Sequence, residues 1–338
     1  MALIADAVIV SWNVQKYLDR CLGSLVAADQ GEGVLLGQVI VVDNASTDGT
    51  AVWLRNAYPQ VHLIANQENR GFAAGCNQGL ARTTADAVLL LNPDAELLPG
   101  ALEILARVLE AHPGVAAAGP LVLGSNGHPQ PTRRRFPTFA TALIESTFIQ
   151  DHFPNLNHLR RYYCQDLPPD EEHEVDWLVG ACLLVRRIAL MRPVDPMERS
   201  GAPSPPREDP TLVPLLSPVG VFDERFFMYF EEVDWFLRAR GAGWRTLYVP
   251  SARAVHHGGA SSAQEPRQAH LYFLRSKRAF CQKHYSSLAA WGVHAGLLLS
   301  YVLRTLEDAA KLALGHRPRL RRDRIALYLS VLGRAVRP

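Results

Sequence analysis

The sequence predicts a doubly wound α/β fold: a mostly parallel sheet with helices on both faces. Two observations carry this. Apolar runs such as Gln38-Val-Ile-Val-Val42 and Val88-Leu-Leu-Leu91 show no polar alternation, the mark of strands buried on both faces. Between such runs the apolar residues recur at helical spacing, so strand and helix alternate along the N-terminal third.

Each element follows in order. Ala7–Trp12 is the first strand, and Val14, Leu18, Cys21, Leu22, Leu25 and Val26 mark the helix after it. Gly31-Glu-Gly33 is a loop before the strand Gln38–Val42, which ends at Asp43. Ser46-Thr-Asp-Gly-Thr50 offers hydroxyls to cap the next helix and Asp48 for its first turn. That helix carries Val52, Trp53 and Leu54 and stops near Tyr58-Pro59; Val61–Ala65 is the third strand, and Asn69–Asn77 opens the third helix. Val88–Leu91 breaks at Asn92-Pro93, and a residue before proline is driven out of helical geometry. Asp94 therefore emerges at the carboxyl end of a central strand, the edge where open α/β sheets bind ligands.

Leu98–Leu102 starts a helix with Pro99 in its first turn, and Val115–Val122 is a strand. Beyond Gly124 the pattern loosens, through Arg133-Arg-Arg135, until the strand-like Val175–Val185, broken at Gly180-Ala181. Residues 192–218 hold eight prolines and read as a mobile surface loop. Glu231–Arg238 is a helix, Thr246–Val249 a short strand, and Val255-His-His-Gly-Gly259 a turn. From His270 the chain is helical, with Leu288–Leu303 nearly all apolar.

Composition narrows the function. The 338 residues are 48% hydrophobic and 20% charged, enough for one large α/β domain with appendages. Five scattered cysteines with no Cys-x-x-Cys pair, and no signal-peptide pattern, point to buried thiols in a reducing cytoplasm. The net charge of +2 hides a split: from His270 onward there are 13 Lys+Arg against 3 Asp+Glu, and before it 22 against 30. An acidic body excludes a nucleic-acid-binding core, whereas a basic tail suits an anionic surface. There is no His-Glu-x-x-His, no Gly-x-Ser-x-Gly and no P-loop, which removes zinc proteolysis, serine hydrolysis and P-loop kinase chemistry.

Four clusters fall at strand or loop ends: Asp43, Asp94, Glu231-Glu232-x-Asp234 and His256-His257. Few carboxylates and a histidine suit Mg²⁺ or Mn²⁺ carrying a phosphate-bearing substrate. Each also has a plain structural reading: an Asx turn at Asp43-Asn44, dipole-favoured acids at 231–232, and a surface turn at 256–257. The apolar run Leu288–Leu303 is shorter than the roughly 20 residues that span a bilayer. It fits helices lying on a membrane, with Arg317–Arg322 toward anionic lipid; packing on the catalytic core or a homodimer contact is the alternative.

Taken in order, Val41-Val-Asp-Asn-Ala-Ser-Thr-Asp-Gly-Thr50, Asn69-Arg-Gly-Phe-Ala-Ala-Gly-Cys-Asn77, Leu89-Leu-Leu-Asn-Pro-Asp94, Gly180-Ala181, Phe222–Asp234 and His256-His-Gly-Gly-Ala-Ser261 resemble the family-2 inverting glycosyltransferases of GT-A fold, in their bacterial rhamnosyltransferase-like branch. The resemblance covers residues 7 to about 285. It implies a GT-A domain over 1–268, with 192–218 inserted, and a basic helical tail over 269–338. It implies transfer of a hexose, L-rhamnose from dTDP-L-rhamnose, to a lipid-linked or polysaccharide acceptor in cell-wall or surface glycan synthesis. Galactofuranosyl or other hexosyl transfer, and a catalytically silent sugar-nucleotide-binding protein, are the alternatives. Donor-nucleotide contacts fall on Ser11, Asn13, Asp43, Asn69, Arg70, Gly71, Gly75, Asn77 and Asn92, and metal contacts on Asp94 and His256. Here Asn92 stands where the family's metal motif has its first Asp. The catalytic base falls among Glu232, Glu231 and Asp234, with Glu232 where the family usually has Asp. Trp177, Gly180 and Ala181 would lie near sugar and acceptor. The enzyme would be cytoplasmic, peripheral on the inner face of the cell membrane.

Overall fold

The computed structural model describes residues 3–28, 34–191 and 219–335, so the proline-rich segment read as a surface loop lies outside the described residues. The chain runs β1 (Leu3–Ser11), α1 (Gln15–Ala28), β2 (Val34–Asp43), α2 (Thr50–Ala57), β3 (His62–Ala65), α3 (Phe72–Leu80), β4 (Ala87–Leu91), β5 (Ala95–Leu97), α4 (Ala101–Ala111) and β6 (Val115–Leu123). Next come β7 (Arg133–Arg134), α5 (Phe139–Ile144), α6 (Phe148–His152), α7 (Asn157–Tyr162), β8 (His173–Glu174), β9 (Trp177–Leu178), β10 (Cys182–Arg186) and α8 (Arg187–Leu190). The remainder is α9 (Glu231–Gly241), β11 (Arg245–His256), α10 (Pro266–His284), α11 (Ser287–Ala313) and α12 (Pro318–Ala335). The described residues fall into two compact units. One lies within Met1–Arg134, Pro168–Glu224 and Glu231–Ala260, the other within Arg135–Leu167, Arg225–Phe230 and Ser261–Pro338.

The first unit is built on one sheet of order β3-β2-β1-β4-β10-β6-β11-β5, with β8 on β11. β1 is parallel to β2 and β4, and β2 to β3. β10 is antiparallel to both β4 and β6, and β11 is parallel to β6. Two reversals restore the direction, so β6 and β11 end at the same edge as β1, β2 and β4. Along β1 the side chains alternate. Ala5, Ala7 and Ile9 share a core with Leu18, Leu22 and Leu25 of α1 and Leu102, Leu105 and Leu109 of α4. The opposite face meets α3 through glycines: a Cβ at Gly79 would stand 2.4 Å from Val8 Cγ1, and one at Gly75 2.8 Å from Val10 Cγ1. Helices thus cover both faces. β4 is buried along its whole length, as its unbroken apolar run predicts.

Three local expectations are corrected. β11 is twelve residues long, because pairing with β6 resumes after a register shift between Val249 and Arg253 that accommodates Pro250. α2 begins after Gly49 at φ +90°, with no side-chain cap from a hydroxyl. Asp48 instead accepts from the Thr50 amide (3.1 Å) and hydroxyl (2.5 Å). Pro99 precedes α4, whose cap is Gly100 at φ +77°.

The second unit is helical: α11 packs against α10, α12, α5 and α6. Its buried charges are paired. Lys277 Nζ donates to Glu145 Oε2 (2.7 Å) and to the Glu145 carbonyl (2.6 Å). Asp308 sits between Arg321 (2.5 Å) and Arg324 (3.0 Å). The apolar run of α11 is divided: Ala290, Val293, Leu297 and Tyr301 are buried, while Leu288, Trp291, Leu299, Val302 and Leu306 are exposed. No described helix is long and apolar enough to cross a membrane.

The close approach of α3 to β1 makes Gly79→Ala the substitution to test. The added methyl forces the helix or Val8 aside, a cost of about 1–3 kcal/mol. Denaturant unfolding should show a lower midpoint; an unchanged midpoint would mean α3 does not press on β1 as described.

Candidate active site

The carboxyl ends of β1 and β2 place Ser11 and Asp43 as register partners. Both are buried. Asp43 Oδ2 accepts the Ser46 amide (3.3 Å), while Asp43 Oδ1 and Ser11 Oγ are buried with no hydrogen-bond partner among the described residues. Burial pushes the Asp43 carboxyl above its usual value, against the hydrogen bonds from Ser46. Buried polar atoms without partners need an explanation, and a polar ligand is the simplest one at a sheet edge. Asn13, at φ +53°, ties the two loops together. Its amide donates to Ser46 Oγ (2.8 Å) and its side-chain oxygen accepts the Thr47 amide (2.7 Å).

The segment Asn69–Asn77 divides between surface and scaffold. Asn69 and Arg70 are exposed. Asn69 Oδ1 accepts the amide of Gly71 (3.0 Å), whose φ of +87° suits glycine. Asn44 Nδ2 donates to the Gly71 carbonyl (2.9 Å), and Asn66 Nδ2 to Asn44 Oδ1 (2.8 Å). Gly75 faces Val10, so its missing side chain serves helix–sheet packing. Asn77 is fully engaged: Nδ2 donates to the Phe222 carbonyl and to Glu224 Oε1, both at 2.9 Å, and Oδ1 accepts the Phe222 amide (3.0 Å). It fastens the Phe222 segment to α3.

Asp94 follows β4 and meets His256 at the end of β11. His256 Nε2 lies 3.2 Å from Asp94 Oδ1, and 3.4 Å from Asn92 Nδ2. Gln130 grips His256 twice, donating from Nε2 to its carbonyl (2.8 Å) and presenting Oε1 to its Nδ1 (3.0 Å). With Nδ1 turned to Gln130, the ring presents Nε2 to the Asp94 carboxylate. Asp94 Oδ2 accepts the Ala260 amide (3.1 Å) and its carbonyl accepts the His257 amide (2.9 Å). Burial raises the Asp94 carboxyl, but the His256 bond and charge and the Ala260 amide outweigh it and hold it below its ordinary value. Both His257 nitrogens are occupied, Nε2 by Glu96 (2.6 Å) and Nδ1 by Ser125 (2.8 Å), so His257 is a brace.

The acidic run opens α9. Glu231 is buried and Glu232 partly exposed, and each has an Oε2 buried without a hydrogen-bond partner among the described residues. Burial, then the neighbouring Glu232, pushes Glu231 well above the carboxylate range; burial also raises Glu232. Asp234 is committed elsewhere. Arg238 Nε donates to its Oδ2 (2.9 Å), and the same guanidinium donates to the carbonyls of Val219 (2.8 Å) and Val221 (2.9 Å). Trp177 is buried, with the Arg134 guanidinium carbon 5.7 Å from its ring centre. The Ala181 carbonyl accepts the Asn92 amide (2.9 Å), and Gly180 borders open space. Sequence reasoning missed Gln130, Asn44 and Arg134. The Gln130–His256 contact joins residues 126 apart and leaves no local pattern.

A doubly wound sheet with carboxylate, amide and imidazole groups at its carboxyl edge is a GT-A glycosyltransferase architecture. Residues 6–188 match the domain of Glycosyl transferase family 2, and the chain belongs to that family. It is 31% identical over 278 residues to the N-acetylglucosaminyl-diphospho-decaprenol L-rhamnosyltransferase of Mycobacterium tuberculosis, covering 79% of this chain and 80% of that one. A low-salt glycan biosynthesis hexosyltransferase of Haloferax volcanii is 23% identical over 226 residues, covering 66% of this chain and 59% of its own length. Among solved structures, a mannosyltransferase from Pyrobaculum calidifontis, in complex with GDP-Man and Mn²⁺, shares the fold at a TM-score of 0.52 and 16% identity, covering 99% of this chain and 87% of that one. The protein is a glycosyltransferase.

The bonding of Asn77 yields a separable outcome. Asn77→Ala should leave the Phe222 backbone groups unpaired, lower stability by about 1–3 kcal/mol and leave nucleotide affinity unchanged. Thermal unfolding and nucleotide titration on the same variant check this. Lost affinity in a variant of intact stability would make Asn77 a donor contact instead.

Proposed function

We propose that this enzyme is an inverting glycosyltransferase that moves L-rhamnose from dTDP-L-rhamnose to a lipid-linked acceptor in cell-wall or surface glycan synthesis. The observation that carries the reading is the facing pair Asp94 Oδ1 and His256 Nε2, held by Ala260 and Gln130. The choice of sugar and acceptor rests on the likeness to the mycobacterial L-rhamnosyltransferase, which aligns over most of both chains. Other hexosyl donors, galactofuranosyl included, are the alternative substrates.

Mg²⁺ or Mn²⁺ fits this donor set. A carboxylate oxygen and an imidazole nitrogen stand 3.2 Å apart at the sheet edge, the oxygen and nitrogen donor types that these cations take. Among the described residues no cluster of three or more His, Cys, Asp or Glu could hold a metal alone. Asp94 and His256 would hold the ion together with the donor's diphosphate oxygens, and the ion would offset charge on the leaving diphosphate. Asp43 Oδ1 and Ser11 Oγ would take the donor groups of base or ribose, while exposed Asn69 and Arg70 border the nucleotide. Glu232 accepts the proton of the acceptor hydroxyl as its oxygen bonds to the anomeric carbon. The bond from that carbon to the diphosphate oxygen breaks on the opposite face, so configuration inverts. Asp234, neutralised by Arg238, is the weakest candidate for the base. Trp177 and Gly180 would border the sugar and acceptor.

We also assign the exposed stripe of α11 to an anionic membrane surface, on the inner face of the cell membrane. Leu288 (81% exposed), Trp291 (66%), Leu299 (57%), Val302 and Leu306 (61%) fall on one face of a 27-residue helix, in two groups eight residues apart. Such a helix is about 40 Å long. Its segment of chain carries the net positive charge that anionic lipid favours. The buried thiols of all five cysteines fit a reducing cytoplasm.

Transfer assays test the first assignment. EDTA should abolish turnover and Mn²⁺ restore it, and Glu232→Gln should lower kcat by about 10²-fold or more at unchanged donor affinity. Full turnover in chelator would remove the metal. That kinetic pattern in Asp234→Asn would move the base, and donor binding without transfer or hydrolysis would indicate a silent binding protein.

Vesicle sedimentation tests the second. Leu288→Glu combined with Trp291→Glu and Leu306→Glu should release the protein from anionic vesicles, and high salt should release only part of the wild type. A variant that stays on vesicles but loses self-association in ultracentrifugation would make the stripe a homodimer face.

A further inference from the structure

One short stretch of chain closes around Asp94. His256 Nε2 meets its Oδ1 (3.2 Å), the His257 amide donates to its carbonyl (2.9 Å), and the Ala260 amide donates to its Oδ2 (3.1 Å). Between the two amides stand Gly258 and Gly259, at φ +77° and +69°. Consecutive glycines at positive φ have the least restricted backbone a chain can offer. Holding the Ala260 amide on the carboxylate therefore requires that a residue within the stretch be fastened. The His257 side chain is fastened twice: Glu96 Oε1 stands 2.6 Å from its Nε2 and Ser125 Oγ 2.8 Å from its Nδ1. The Tyr17 ring of α1 lies against the imidazole, with ring centres 5.4 Å apart.

We propose that Glu96 is a positioning residue for the divalent cation: through His257 it fixes segment 256–260 around Asp94 and so sets the aim of the Asp94 carboxylate. The inference rests on the reading of Asp94 and His256 as cation ligands and names what holds the first of them in place. Glu96 can do this because its own strand is anchored. β5 pairs with β11, Glu96 opposite Val255 and Ala95 opposite His256. The Leu97 amide donates to Ser24 Oγ of α1 (3.0 Å), and the Leu98 amide to the Arg253 carbonyl (3.0 Å). Glu96 thus reaches His257 from a backbone tied to both a helix and a strand. Ser125 is exposed on the loop after β6, and a hydroxyl makes weaker hydrogen bonds than a carboxylate, so Glu96 is the main anchor. Among the described residues these acids and histidines form no cluster of three that could hold a metal. Glu96 therefore acts on the cation through His257 and not as a ligand.

Loss of this anchor leaves Asp94 at the end of β4 but frees the two amides that orient it. The test uses the full chain as wild type, Glu96→Ala, Glu96→Gln and His257→Phe, each checked by thermal unfolding. Hydrogen–deuterium exchange of the protein without metal or nucleotide reads the segment itself. The amides of His257 and Ala260 should exchange about tenfold faster or more in Glu96→Ala and in His257→Phe. They should exchange near the wild-type rate in Glu96→Gln, which keeps an oxygen for the imidazole. Mn²⁺ binding in the presence of dTDP, read by electron paramagnetic resonance, should weaken by about 10–100-fold in Glu96→Ala, with Glu96→Gln restoring most of it. The affinity for dTDP in EDTA should be the same in all four proteins. His257→Phe supplies both readings if Glu96→Ala does not fold.

Unchanged exchange in the folded variants overturns the hold of Glu96 on the segment. Faster exchange with unchanged Mn²⁺ affinity overturns its link to the cation. Binding in Glu96→Gln as weak as in Glu96→Ala overturns the positioning role too, because the charge of Glu96 would then act on the cation directly. Absence of Mn²⁺ binding by the wild type would count against Asp94 and His256 as ligands, while the exchange rates would still decide whether Glu96 fixes the segment around Asp94.

Discussion

Strand direction is the constraint on which the site depends. β10 enters the sheet antiparallel between β4 and β6, and this double reversal lets β11 run parallel to β4. Only then does the end of β11 arrive at the edge where β4 ends. The short β5, which leaves β4 after Asn92-Pro93-Asp94, pairs back onto β11 with His256 opposite Ala95. The Asp94–His256 contact is thus a consequence of sheet topology, and the Gln130 clamp refines the ring's orientation after the strands have set its position.

Buried acids in this chain fall into two groups. Asp6 accepts three backbone amides, from Gln38, Thr84 and Ala85, and Asp234 is paired with Arg238. These are satisfied and serve the scaffold. Asp43, Glu231 and Glu232 are buried or nearly so, yet each keeps an oxygen with no hydrogen-bond partner among the described residues. Leaving such oxygens unpaired is costly in a folded protein, and in the proposed reading substrate groups complete their bonding. The same criterion separates Glu232 from Asp234, which sequence spacing alone left level.

Much of the fold was legible because burial writes directly into the sequence. β2 and β4 lack polar alternation since helices cover both faces, and Asn92-Pro93 ends β4 where the ligand edge begins. Asp43 and Asp94 could be picked out for the same reason. The length of β11 was hidden by Pro250, which reads as a stop although a register shift absorbs it. Asn77 and Gly75 looked like ligand contacts, because residues that fasten a distant segment or admit a close helix have the same identities as residues that bind a nucleotide. Gln130 and Arg134 were illegible: their meaning lies in partners brought near only by the sheet and the β7–β9 pair. The helical unit likewise draws in Arg135–Leu167, a stretch whose irregular pattern carries no signal of long-range packing.

The central claim is a single displacement at the anomeric carbon, assisted by one ionised carboxylate acting as base. The stereochemistry of the product tests it most directly. Proton NMR of the first product formed from a donor of known anomeric configuration should show the opposite configuration at the transferred sugar. Retention would require a covalent or front-face route and would contradict the account, because Glu232 would then have to act as something other than a base.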